Sequence, residues 1–131
     1  MSLLQQRMFK EFGEKKIFDK ALQYGCKYLD DAFERNVFPT TEDLNNLKNF
    51  DEEMPLNFSD ASEVIDLLDK YGAPATVSQI GGRYFGFVCG GVVPAGMAAK
   101  SLATFWDQNS AMYVLSPLAS KLESVVEKWL R

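Results

Sequence analysis

Gly81 to Ser120 reads GGRYFGFVCGGVVPAGMAAKSLATFWDQNSAMYVLSPLAS, and only Arg83, Lys100 and Asp107 in it carry charge. Forty residues this apolar and glycine-rich are either the core of a domain or a surface built to be covered by more protein. Outside this stretch the chain is ordinarily charged. Residues 1–60 hold 8 basic and 12 acidic side chains and account for the whole net charge of −4, while residues 61–131 hold 6 of each.

Those numbers exclude several classes of function. No basic stripe of the kind that binds nucleic acid is present, and an acidic surface is repelled by anionic membranes. Two cysteines, Cys26 and Cys89, are too few for a disulfide framework and read as reduced thiols. No apolar run reaches the length of a membrane span, and Met1–Phe12 lacks the apolar core of a signal peptide. The expectation is a cytoplasmic protein. The chain contains no histidine, so a histidine-based hydrolase and a histidine-ligated zinc site cannot be assembled from it, and no metal site is expected.

At 131 residues the chain has room for a single domain. Apolar residues at three-four spacing from Ile17 to Val37 predict one long amphipathic helix over 14–36, stopped ahead of Pro39. Leu3–Phe12 reads as a short helix of its own, and Thr40 opens one helical turn inside an acidic linker. A further helix starts at Ser59 or Asp60 and runs to Tyr71, with Val64, Ile65, Leu67, Leu68 and Tyr71 facing inward and Gly72 and Pro74 behind it. Arg83–Cys89 is aromatic and β-prone, a short strand or extended arm. Pro94 then opens a helix that is apolar almost all round and so reads as fully buried. Ser116 and Pro117 start the last helix, with Leu118, Leu122, Val125, Val126, Trp129 and Leu130 on one stripe. It runs to Arg131 with no closing glycine, as if the chain continued. The fold class expected is mainly α, about four main helices and one short extended arm.

Gly86, Gly90, Gly91 and Gly96 invite a phosphate-loop reading, but the spacing fails. Ala99, not glycine, precedes Lys100-Ser101, and no glycine triplet joins a strand to a helix. Lys100 is the one lysine of the apolar stretch, and its helical surroundings fit a snorkelling side chain better than a Schiff base.

Taken in order, Arg83-Tyr84-Phe85-Gly86-Phe87-Val88-Cys89-Gly90-Gly91, Pro94-Ala95, Trp106-Asp107-Gln108-Asn109, Ser116-Pro117, Glu123 and Trp129-Leu130 form a set. It resembles the N-terminal portion of the group II pyridoxal-phosphate decarboxylases, closely from Arg83 to Leu130 and more loosely back to Pro39. The resemblance implies a helical arm over residues 1–80 and the start of the large domain of a fold-type I enzyme, an α/β parent, over 81–131. It implies an obligatory dimer, which would cover the uncharged stretch. It also places the cofactor lysine and phosphate loop beyond this chain, so no pyridoxal phosphate and no carboxy-lyase activity are expected of the chain alone.

By the same resemblance Phe87, Val88 and Cys89 line the substrate side of the cofactor, and Asn109 and Ala111 reach the neighbouring subunit's site. Phe87 stands where glutamate-specific members have an amide, and Cys89 where a hydroxyl is usual; Phe87 and the small Ala111 make an aromatic or other apolar amino acid the expected substrate of the parent. The alternative is a stand-alone helical interaction module that dimerises without catalysis.

Overall fold

Serine and threonine side chains start three of the six α-helices in the computed structural model, which describes residues 1–89 and 91–131. The helices are α1 (Leu3–Glu14), α2 (Lys16–Asp31), α3 (Thr41–Asn46), α4 (Ala61–Leu67), α5 (Pro94–Trp106) and α6 (Pro117–Leu130). A 3₁₀ turn, Leu47–Phe50, extends α3, and a π turn, Leu68–Gly72, extends α4. No strand occurs among the described residues. The mainly α expectation holds, with more and shorter helices than the periodicity implied. Two compact units divide the chain, Met1–Gly91 and Val92–Arg131.

In the first unit Ser2 and Thr40 form reciprocal capping boxes with Gln5 and Asp43, which satisfies otherwise orphaned backbone donors. Lys15, left-handed at φ 60°, closes α1 and opens α2. The long helix foreseen over 14–36 therefore begins at Lys16, and it ends at Asp31 rather than Asn36. The early end has a tertiary cause. Ser78 donates from Oγ to the Ala32 carbonyl at 2.9 Å and from its backbone N–H to the Val37 carbonyl at 2.8 Å. Arg83 binds the Phe33 and Arg35 carbonyls. The carbonyls at the end of α2 thus find partners from residues some fifty positions away, a signal that local periodicity does not carry.

α2 meets α4 through polar groups. Lys20, Tyr24, Lys27 and Tyr28 share one helical face. Lys20 Nζ lies 2.8 and 2.9 Å from the two Asp66 oxygens, and the Tyr24 hydroxyl donates to Asp66 at 2.6 Å. Lys27 pairs with Asp69 at 3.1 Å, and the Tyr28 and Thr76 hydroxyls are 2.9 Å apart. Arg35 continues the ladder, donating to the Ala73 and Pro74 carbonyls while its guanidinium lies 5.0 Å from the Tyr28 ring centre. On α4 and the π turn that extends it, Ile65, Leu67 and Tyr71 are half-buried, as the periodicity has it, whereas Val64 and Leu68 are exposed. Asp66, a residue outside the predicted apolar set, points toward α2 instead.

The second unit is α5, a turn segment and α6. Val93 precedes Pro94 at the first position of α5, and left-handed Asp107 closes it. Ser116 caps α6, its Oγ accepting from the Ala119 N–H at 3.3 Å, with Pro117 at the first position. Both starts follow the sequence reading. Burial does not: α5 was expected to be enclosed, yet Leu102, Phe105 and Trp106 are half or more exposed. With only two helices in the unit there is no further layer to enclose them.

Candidate functional site

The expected pocket wall divides between the two units. Phe87, Val88 and Cys89 end the first, and Asn109 and Ala111 lie in the turn segment between α5 and α6 of the second. Gly90, one of the glycines weighed for a phosphate loop, lies outside the described residues.

Arg83–Cys89 is not the extended arm that its composition predicts. Gly86 to Cys89 forms a turn in which Phe87 and Val88 both adopt left-handed backbone, φ 52° and 54°. A strand needs a neighbour to accept its backbone groups, and no strand lies among the described residues to supply one. Left-handed backbone at non-glycine residues costs on the order of 1–3 kcal/mol each. Phe85, Phe87 and Val88 are 92, 95 and 102% exposed. The nearby Cys89 thiol holds the Tyr84 phenol above its ordinary pKa, helped by partial desolvation. The Cys89 thiol is exposed.

In the second unit the Asn109 side-chain oxygen accepts from the Ala111 N–H at 2.9 Å, an Asx turn that fixes the direction of the backbone after α5. Gln108 donates to the Trp106 carbonyl at 2.9 Å. The polar island of residues 107–109 therefore reads locally as a helix end and a turn.

Around it the surface is apolar. Leu102, Phe105 and Trp106 of α5 and Leu118, Leu122, Val126, Trp129 and Leu130 of α6 are all exposed. The hydroxyls of Ser101 and Thr104 turn back onto the Met97 and Lys100 carbonyls at 3.1 and 3.0 Å. Bonds of this kind satisfy the hydroxyls within the helix, which leaves α5 with few polar groups to hold water. Lys100, the lysine considered for a Schiff base, is exposed on α5. Among the described residues no lysine is buried, so they do not fit a pyridoxal-phosphate site.

Two clefts lie within the first unit. One of about 540 Å³ is lined by Tyr28, Arg35, Pro39, Thr40, Asp43 and Pro74 among others. The second, about 780 Å³, lies between α1, the start of α2 and the start of α4, near Arg7, Lys20, Phe58 and Ser62. None of the five expected wall residues lines either cleft. Lys20 also contacts the Ser62 hydroxyl, the pairing seen in serine–lysine nucleophiles. With both Asp66 oxygens on the same ammonium, however, Lys20 acts as a donor and not as a base. Hydrogen bonds from Lys20 and Tyr24 hold Asp66 below the usual carboxylate pKa. Asp66 in turn raises Tyr24, chiefly by accepting its hydrogen bond. Sequence reading missed this cluster, although the spacing of Lys20, Tyr24, Lys27 and Tyr28 marks a polar face that could have been found.

Among the described residues no group of carboxylates and cysteines is arranged to hold a metal, and no helix is long and apolar enough to cross a membrane. No family model, no curated protein and no solved structure matches the chain.

Proposed function

We propose that this chain is the N-terminal part of a group II pyridoxal-phosphate-dependent amino-acid decarboxylase. Its role is to supply dimer interface and one wall of the substrate pocket, and it is inactive by itself. The ordered motifs from Arg83 to Leu130 suggest the family. The observation that carries the reading is the exposed apolar face of α5 and α6, with Phe105, Trp106, Leu122 and Trp129 at least half exposed. Eight large apolar side chains on two adjacent helices are the inner surface of something larger. Phe85, Phe87 and Val88 add an apolar element of the kind that keeps water from a reacting carboxylate.

In this reading pyridoxal phosphate is held by the remainder of the enzyme and supplies the electron sink for loss of carbon dioxide. Phe87 and Val88 contribute shape and dryness, and Asn109 and Ala111 serve the neighbouring subunit's pocket. The substrate is an aromatic or other apolar amino acid, because Phe87 presents no hydrogen-bond donor to a side-chain carboxylate.

An immunoblot of the source cells with antibody against this chain tests the reading directly. A band several times larger than 14.8 kDa, from a protein that decarboxylates aromatic amino acids, is the expected result. Activity on glutamate would remove the substrate assignment. A band near 14.8 kDa would replace the enzyme with a free-standing helical module that associates through the same apolar face.

A further inference from the structure

Three properties of Tyr84–Cys89 pull against one another. Its composition, Tyr-Phe-Gly-Phe-Val-Cys, is that of a strand. Its backbone turns instead, with Phe87 and Val88 left-handed, a region that β-branched residues rarely enter. Its apolar side chains stand in solvent, so no packing over-determines the strained pair. What closes the turn is slight. The Cys89 N–H donates to the Gly86 carbonyl at 3.4 Å, a long bond. The root, by contrast, is fixed, since Arg83 binds two carbonyls at the end of α2.

We propose that Tyr84–Cys89 is a two-state strap, exchanging between this left-handed turn and an extended form. In the extended form side chains alternate, so Phe85, Phe87 and Cys89 share one face and Gly86 and Val88 the other. The turn scatters these groups into water; the extended form lines up two aromatic rings and a thiol. Any surface that covers that row selects the extended state, by its differential affinity for it. The exchange is a property of this backbone and stands whether or not the decarboxylase reading does.

Backbone ¹³C chemical shifts and relaxation dispersion on the full chain test it, with Val88→Gly and Val88→Pro as references. Glycine accepts left-handed backbone without cost and holds the turn. Proline, fixed at φ of about −65°, excludes it and holds the extended form. The expected wild-type shifts over residues 84–89 lie between the two references, with exchange on the microsecond-to-millisecond scale and a minor state of about 1% or more. Exchange should disappear in both variants, while the shifts of Lys20, Tyr24 and Asp66 stay put and certify the fold. Wild-type shifts coincident with those of the glycine variant, without exchange, would make the segment a fixed turn and overturn the proposal. Coincidence with the proline variant would make it permanently extended and overturn it equally. Neither result bears on the size or activity of the gene product, so the two readings fail separately.

Discussion

Gly25 lies in the middle of α2 with nothing within 4 Å of where a Cβ would stand. The sequence offers two explanations for a glycine on an apolar stripe, close packing or simple weakness, and the open space selects weakness. Gly25→Ala should stabilise the first unit by about 0.5–1 kcal/mol, the usual helix-interior difference, read from urea unfolding. Asp66 gives a prediction of the opposite kind. Its folded pKa lies below the unfolded value because Lys20 and Tyr24 bind the carboxylate. Its contribution is therefore complete above the unfolded pKa of about 3.9 and is lost as pH falls through the lower folded value. Asp66→Asn should flatten the acid limb of the stability curve there and leave the difference between variant and wild type constant near neutrality. Acid titrations of the two proteins, followed by circular dichroism, compare the slopes. The role of Asp66 was not readable beforehand, because it sits between Ile65 and Leu67 in a stretch whose apolar pattern draws attention away from it.

At the scale of elements, what could be read in the sequence was what is decided locally. Thr40, Pro94 and the pair Ser116-Pro117 start helices by bonds or backbone angles contained within four residues, and all three starts are where the sequence puts them. The end of α2 and the conformation of Arg83–Cys89 are decided at long range. Ser78 and Arg83 finish α2 from some fifty residues away, and a strand's existence depends on a neighbour that composition cannot supply. The wall residues share that fate. The apolar character of Phe87 and Val88 was legible, but their left-handed backbone was not. A local device should break locally, so Ser116→Ala ought to cost about 1 kcal/mol and fray the start of α6. Helical content and amide exchange over residues 117–120 should report the loss, with α2 as an internal reference. A loss spread evenly across both units would contradict it.

For the whole molecule the decisive quantity is the imbalance between apolar residues and what covers them. Among the described residues Ala32 is the one buried apolar side chain, while more than thirty large apolar side chains are exposed. Polar ladders such as Lys20–Asp66 and Lys27–Asp69 join elements of the first unit, but half-exposed ion pairs stabilise weakly. The second unit lacks even these between its helices, and the ion pair it has, Glu127–Arg131, lies within α6 and its end. A chain built this way lowers its free energy by association, since hiding one leucine is worth about 1.5–3 kcal/mol, tenfold or more in a dissociation constant. Wild-type chain should therefore sediment as a concentration-dependent dimer. Leu122→Asp, on the exposed stripe of α6, should weaken association at least tenfold and lower the binding of an apolar dye, without loss of helix. Lys10→Gln, an exposed change on α1 that alters the charge by the same single unit, should leave association nearly unchanged, because its effect is confined to a solvated pair. A wild-type monomer over a wide concentration range would mean that the α5–α6 face is closed by the chain's own rearrangement. In that case the apolar stretch is a core after all, and the interface half of the proposed function falls with it.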